Sequence, residues 1–482
     1  MLSRVKEMHK MRNHVQKVIK EGTDSALTND EVYSFYFELL PSFTDNIKEY
    51  IDSLNPSGFT TLYQIIGNNV RTSGSAYSDI FNPENIFLLP QRTRVPIKVL
   101  RKRSIKDNSR VLVAIDSIKN PYEAKFFKER YSSFYLLAIT TEEETRVSRL
   151  INCFNLNKEQ ILRIDKIEYP ESLEGHRKFT SLNIQQCIQI ADIHLRNDEK
   201  KEKDLSRLTW KIAKYIALIF HPGIVNPSSD ERLMQIAYNA KLSSGCISRQ
   251  VGAVITDSEF SVKAIGWNDV PRGQTPCILR NAGWLNKNEK LNLFSDYEKS
   301  DPKFRTEMKN IFEKKEGEKC LSGCNLSFCF KDIKNFIDGE KNQVHTRALH
   351  AEENAFLQIS RYGGTGIKNG YLFTTASPCE LCSKKAYQLG INTIIYIDPY
   401  PGISKSHILE SGNSRPKLKL FEGAIGRAYQ QLFEPVMPNK DVVDLLINID
   451  IPSKKKRLEQ EIKILTEQLE EKEATIKALE QR

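Results

Sequence analysis

A chain of 482 residues is longer than one hydrophobic core usually serves, so two domains are expected, with room for an appendage. Its 40% hydrophobic and 27% charged residues are the balance of a soluble protein, and the absence of any run of about 18 apolar residues excludes a membrane-spanning helix. The formal charge of +10 suits anionic partners such as nucleotides and leaves room for a regulatory nucleic acid, but the lysines form no long basic block, so charge alone decides nothing.

Met1–Lys20 is polar and basic without an apolar centre, so no secretory signal is expected. Nine cysteines then fit a reducing cytoplasm, where paired cysteines bind metal more often than they form disulfides. From Arg110 the pattern reads strand, helix, strand, helix. The apolar run Arg110–Asp116 is followed by an amphipathic stretch opened by Pro121, a second run at Phe134–Thr140, and a helix for which Thr141 is a candidate cap. Such alternation predicts a parallel sheet covered by helices. Thr180–His194 reads as a further helix, and the charged Asn197–Asp204 as a linker.

A second α/β region spans Leu205–Asp450. Strands are expected at Gln250–Thr256, Ser261–Trp267, Tyr371–Thr375 and Thr393–Ile397. Helices are expected at Glu231–Lys241, Ala348–Ser360 and Cys379–Leu389, the last stopped by Gly390, while Asn286–Phe330 reads as an irregular insertion. In the tail, Leu458, Ile462, Leu465, Leu469, Ile476 and Leu479 follow three- and four-residue steps interrupted by Lys472. That seam predicts an oligomerising coiled coil, or more plainly a helix packed on its own domain.

The residues that carry chemistry are His350-Ala351-Glu352 and Ser377-Pro378-Cys379-Glu380-Leu381-Cys382. One His and two Cys supply three ligands to a tetrahedral Zn2+ and leave a fourth position for water. Cys379 and Cys382 share one face of a helical turn, Pro378 suits a first-turn position, and the free N–H groups there favour thiolate. Glu352, two residues beyond His350, is placed to move protons without binding metal. A Cys-x-x-Cys alone could be a redox pair and a His-x-Glu alone means little, but the joint pattern is the signature of zinc deaminases.

Residues 230–410 resemble the deoxycytidylate deaminase branch of the cytidine deaminase superfamily, on Ser248–Ile255 (SRQVGAVI), Gly266–Gly273 (GWNDVPRG), His350–Asn354 (HAEEN), Ser377–Cys382 (SPCELC) and Ile391–Pro401 (INTIIYIDPYP). The resemblance implies that His350, Cys379 and Cys382 hold zinc, Glu352 shuttles protons, Asn268 contacts the sugar, and the backbone at Ala376 and Ser377 faces the departing amino group. The whole chain resembles the two-domain bacterial anti-phage dCTP deaminases, which carry a P-loop-kinase-like domain before the deaminase. Ile115–Arg130, Thr141–Leu150 and Gly67–Arg71 (GNNVR) carry that likeness. What it implies is deamination of dCTP or dCMP, which drains cytosine deoxynucleotides during phage infection; a homo-oligomer is expected besides, through the deaminase faces, the tail or both. The implied organisation is a degenerate P-loop-kinase-like α/β domain at 1–204, a three-layer α/β/α deaminase domain at 205–450 and a coiled-coil tail at 451–482.

No Gly-x-x-x-x-Gly-Lys-Ser/Thr occurs, so nucleotide triphosphate hydrolysis is not expected of the amino-terminal domain. Cys320, Cys324 and Cys329 could form a second zinc site with Cys277 or His345, or remain free thiols. Arg249, Arg272 and Lys405 are candidate phosphate contacts or solvated charges. Two rival readings stay open: a deaminase of tRNA or single-stranded DNA, and a non-catalytic zinc scaffold.

Overall fold

Short β-branched runs whose alternate residues are both apolar become strands covered on two sides. That is the plan of the larger sheet in the computed structural model, which describes residues 2–20, 29–170, 173–198, 205–316, 324–340, 342–363, 366–398, 405–447 and 454–480. In chain order the strands are β1 (Leu137–Thr140), β2 (Ile193–Arg196), β3 (Gly252–Thr256), β4 (Val262–Trp267), β5 (Tyr371–Ala376), β6 (Thr393–Asp398), β7 (Lys417–Leu420) and β8 (Gly423–Ala424). Five of them form a mixed sheet in the order β4-β3-β5-β6-β7. Strand β3 runs antiparallel to both β4 and β5, while β5, β6 and β7 are parallel.

The period of two sorts the core residues. Ala253, Ile255, Leu372 and Ile394 pack with Ala351, Ala355, Phe356 and Ala386 of the helices Ala351–Tyr362 and Glu380–Gln388. Their neighbours Val254, Phe373 and Ile395 pack with Leu233, Met234 and Ala237 of the helix Ser229–Lys241. The result is the expected three-layer α/β/α sandwich. Contact is closest where glycine stands: a Cβ on Gly252 would run into the Ala237 carbonyl and lie 2.6 Å from Lys241 N.

The smaller sheet has the order β1-β2-β8, with β1 and β2 parallel and β8 antiparallel to β2. It draws β8 from beyond residue 205, so Met1–Lys214 and Pro227–Gln430 group into one compact unit. A second unit comprises Tyr215–Asn226 and Gln431–Arg482. Within it the tail is a helix, Lys454–Glu480, on which Leu458, Ile462, Leu465 and Leu469 are exposed. The Ile476 and Leu479 side chains lie outside the described residues.

Several expectations need correction. Arg110–Asp116 is no strand: it joins neither sheet, and Leu112 and Val113 are exposed, because an apolar run without a ladder partner stays irregular. Thr180–His194 is not one helix. Asn183 caps a short helix, Ile184–Gln189, and the buried run from Ile193 is strand β2, an ambiguity that periodicity cannot resolve for short apolar runs. The helix after β1 takes Glu142 as its N-cap, and the Thr141 hydroxyl is buried with no partner among the described residues. Asn286–Phe330 is not irregular throughout: it holds the helices Asp296–Ser300 and Pro302–Glu316, and its Phe294, Phe304, Met308 and Phe328 share a core with Ala282, Leu285 and Ile333. Beyond Asp198 the linker Asn197–Asp204 lies outside the described residues, as does Cys320.

His194 on β2 is 2% exposed, and its Nε2 has no partner among the described residues. Burial lowers its pKa from 6.5 to about 4, so the imidazole is held neutral. The stability this represents, about 3 kcal/mol, is fully present above pH 6.5 and lost as pH falls toward 4. Urea midpoints measured between these values should fall steeply for the native chain and less steeply for His194→Leu.

Candidate metal centre and active site

In open α/β sheets, sites form at the carboxyl ends of parallel strands. Here β5 ends at Ala376, and two helix starts converge on that end. His350 is the extended N-cap of the helix Ala351–Tyr362, and Glu353 reaches back to the His350 N–H at 3.5 Å. Cys379 is the N-cap of the helix Glu380–Gln388, which places Cys382 at its third position. Pro378 therefore precedes the cap instead of occupying the first turn. Glu353 also bonds Lys385, tying together the two helices that carry the ligands.

The Sγ atoms of Cys379 and Cys382 lie 3.2 and 3.5 Å from His350 Nδ1. Ligands at zinc bond lengths of about 2.3 Å for sulfur and about 2.0–2.1 Å for nitrogen sit roughly 3.5 Å apart on tetrahedral corners, so this donor set fits zinc. Hydrogen bonds from Cys382 and His350 draw the Cys379 thiol down to about 4. The bond to Cys379, reinforced by burial, pushes Cys382 up, and the bond to Cys379 raises His350.

Glu352 is 3% exposed, and that burial holds its carboxyl above the usual range. The Thr374 hydroxyl lies 2.9 Å from Glu352 Oε1 and 2.8 Å from the Ala376 carbonyl. One hydroxyl proton cannot serve both oxygens. When Glu352 is ionised Thr374 donates to it; when Glu352 is protonated it donates to Thr374, which turns to Ala376. Both protonation states are thus satisfied. Thr374 went unnoticed in the sequence because it reads only as a β-branched strand residue.

A cavity of about 260 Å³ opens over these groups. His350, Glu352, Cys379, Asn268, Ala376 and Ser377 all line it, so the structure brings the expected site residues together; Cys382 lies buried behind. The Asn268 side chain already bonds the protein, accepting from Val251 N at 2.7 Å and donating to Arg249 O at 2.7 Å. Of the candidate phosphate contacts, Arg249 lines the cavity, whereas Arg272 and Lys405 do not. Lys331 and Arg347 line it instead, brought there by a tertiary fold that spacing does not reveal. Cys277 and Cys329 also reach the cavity, but no cluster with His345 forms among the described residues; His345 lies with Asp338 and Glu340.

The helix bearing His350 and Glu352 crosses β4 at Gly266. A Cβ there would drive into the Ala351 carbonyl and lie 2.6 Å from Ala355 N. Gly266→Ala should therefore cost about 1–3 kcal/mol and shift the ligand helix. Thermal melts should show the loss of stability, and chelator competition a weaker hold on metal.

Residues 289–398 match the family profile for the cytidine and deoxycytidylate deaminase zinc-binding region. The matched deaminase region contains His350, Glu352, Ala376, Ser377, Cys379 and Cys382, and begins after Asn268. The chain is 28% identical over 213 residues to a deoxycytidylate deaminase of Schizosaccharomyces pombe, covering 44% of this chain and 48% of that protein. It thus spans about half the length of that relative. It is 28% identical over 170 residues to the deoxycytidylate deaminase of enterobacteria phage T2, covering 35% of this chain and 79% of the phage protein. A crystal structure of the cyanophage S-TIM5 dCMP deaminase with dCMP and dUMP is 21% identical, covers 41% of this chain and 98% of that one, and has a TM-score of 0.25.

Proposed function

We propose that the chain is a zinc-dependent hydrolase that converts a deoxycytidine nucleotide, dCMP or dCTP, to the deoxyuridine form. The observation that carries this reading is Glu352, a buried carboxyl beside a three-donor metal set, with Thr374 able to satisfy it protonated or ionised. A scaffold that only held zinc would have no use for a proton-moving group in that place. The names of the phage and Schizosaccharomyces pombe relatives favour a free nucleotide over a polynucleotide.

Zinc in the His350–Cys379–Cys382 set would leave a fourth position for water and lower its pKa from about 15.7 to near 7. The chain's own residues do the rest. Glu352 takes a proton from the attacking water and delivers it to the pyrimidine ring nitrogen as C4 is attacked. It then takes the proton of the hydroxyl now on C4 and passes it to the amino group, so that the C4–N bond breaks, ammonia leaves and the C4 carbonyl forms. The cavity-lining backbone at Ala376 and Ser377 faces that amino group, and Asn268 contacts the sugar. Arg249, Lys331 and Arg347 supply positive charge for phosphate.

The wider reading follows from the resemblance. The amino-terminal residues 1–204 form a degenerate P-loop-kinase-like domain, for which the parallel β1–β2 pair speaks. Residues 205–450 form the deaminase domain, and residues 451–482 a coiled-coil tail whose exposed Leu458–Leu469 stripe suits assembly of a homo-oligomer. The enzyme works in the cytoplasm and depletes cytosine deoxynucleotides as an anti-phage defence.

The test is ammonia release from dCMP, dCTP, CTP and single-stranded DNA, beside a Glu352→Ala control. Conversion of dCMP or dCTP that vanishes in the variant is the expected result. Deamination of DNA alone would sink the nucleotide reading, and inactivity on every substrate with zinc bound would favour the scaffold.

A further inference from the structure

Asp398, the last residue of β6, is a fully buried carboxylate whose partners come from two distant parts of the chain. From the deaminase region, Arg249 bonds it through Nη2. From the amino-terminal α/β part, Gln189 Nε2 donates to Oδ2 at 2.7 Å and Gln185 Nε2 to Oδ1 at 3.3 Å. Both glutamines stand on the helix Ile184–Gln189 that leads into β2. The backbone of Asp398 is tied to the site as well, since it accepts from Ser377 N at 2.9 Å and pairs in register with Ala376.

Arg249 stands at the other end of this chain of bonds. It lines the cavity with its side chain about one-third exposed (35%). A guanidinium carries five N–H donors in a fixed fork. Among the described residues only Nη2 is spent, on Asp398. The other cations of the cavity wall are held differently: Arg347 by Gln274 and Cys277, Lys331 by Gln343 and Asp332. Arg249 alone among these three is anchored through a carboxylate that the amino-terminal part completes.

A buried carboxylate must be satisfied by donors. With both glutamines present, Asp398 needs only part of the Arg249 fork. With both removed, the carboxylate would draw more of the guanidinium to itself and away from the cavity. We infer that the amino-terminal part completes the substrate site: Gln185 and Gln189, acting through Asp398, are positioning residues that hold Arg249 at the cavity wall to receive the phosphate of a nucleotide. The inference rests on the nucleotide-deaminase reading for the identity of the ligand. It gives the amino-terminal part a role in substrate recognition that needs no phosphate cradle of its own.

The test uses the full-length zinc-loaded chain and two ligands that are not consumed, dUMP and deoxyuridine, which differ only in the phosphate. Calorimetry on Gln185→Leu/Gln189→Leu should show dUMP binding weakened about ten- to hundredfold, the range for a lost charged hydrogen bond, with deoxyuridine binding within twofold of the native chain. Arg249→Ala should do at least as much. Asp398→Asn, which keeps the side-chain shape and removes the charge that anchors Arg249, should show the same phosphate-only loss. In turnover the Gln185→Leu/Gln189→Leu variant should raise KM for dCMP more than it lowers kcat. If the glutamine variant binds dUMP as the native chain does while Arg249→Ala does not, the positioning role is wrong. Equal weakening of dUMP and deoxyuridine also overturns it, since that is the signature of a merely structural loss. A native chain that binds dUMP through Arg249 but deaminates nothing would overturn the deaminase reading and leave this inference standing. No dUMP binding at all would overturn the inference itself.

Discussion

Replacing Glu352 by Gln should lower kcat on a deoxycytidine nucleotide by about 10²–10⁴-fold and leave the bound metal in place. The carboxamide matches the carboxylate in shape and can still bond the Thr374 hydroxyl, so the cavity keeps its geometry. What it loses is the ability to accept and release a proton. The metal should stay because the donor set is complete without Glu352. Stability should hold or rise, because a carboxylate in this buried position is a cost to the fold that the amide relieves. Three measurements on one preparation decide the matter: kcat, zinc per chain and melting temperature. Retained activity would mean that another group moves the proton. Lost zinc would mean that Glu352 is a ligand, and a lower melting temperature that the carboxylate serves the fold rather than the reaction.

Part of this site was legible because its logic is local. His350 and Glu352 are two residues apart at one helix start, and Cys379 and Cys382 are three apart at another, so the spacing alone puts each pair on one side of a turn. Four of the five strands of the larger sheet are legible for the same reason; β7, whose lysines alternate with leucines, is not. Fully apolar runs such as Gly252–Thr256 bury both faces, and they were found within two residues of their ends. Arg110–Asp116 has the same local signal and no strand, because a strand also needs a neighbour and the sequence does not say whether one arrives. The groups that shape the cavity wall depend on such arrivals throughout. Lys331 stands one residue beyond Asn286–Phe330, a segment that reads as an irregular insertion and instead contributes phenylalanines to a core of its own with the flanking residues. Asp398 meets Gln185 across 213 positions and Arg249 across 149, separations over which no periodicity carries information. Thr374 is hidden differently: its neighbours in β5 are buried by the same alternation, and only the hydroxyl contacts set it apart.

Cys382→Ser should abolish stoichiometric zinc binding and, with it, all measurable deamination. Two remaining donors, His350 and Cys379, make a weak site, and a serine hydroxyl is a poor substitute for a thiolate because zinc prefers the softer, readily ionised sulfur. Cys382 is the most enclosed of the three donors, at 1% exposure, and sits within the core helix Glu380–Gln388. Its loss should therefore also be felt in stability. Metal bound only by the folded chain stabilises it by about 2.7 kcal/mol when its concentration is a hundred times Kd, so chelation should lower the melting temperature of the native chain and leave that of the variant unchanged. Because the ligands must give up protons to bind, the difference between the two proteins should shrink as pH falls and grow as it rises. Cys329→Ser is the control. Cys329 reaches the same cavity, but burial pushes its thiol up to about 11 and it stands outside the donor set, so the variant should keep the zinc held by His350, Cys379 and Cys382. Loss of that zinc in Cys329→Ser, or full zinc in Cys382→Ser, would place the metal elsewhere in the cavity.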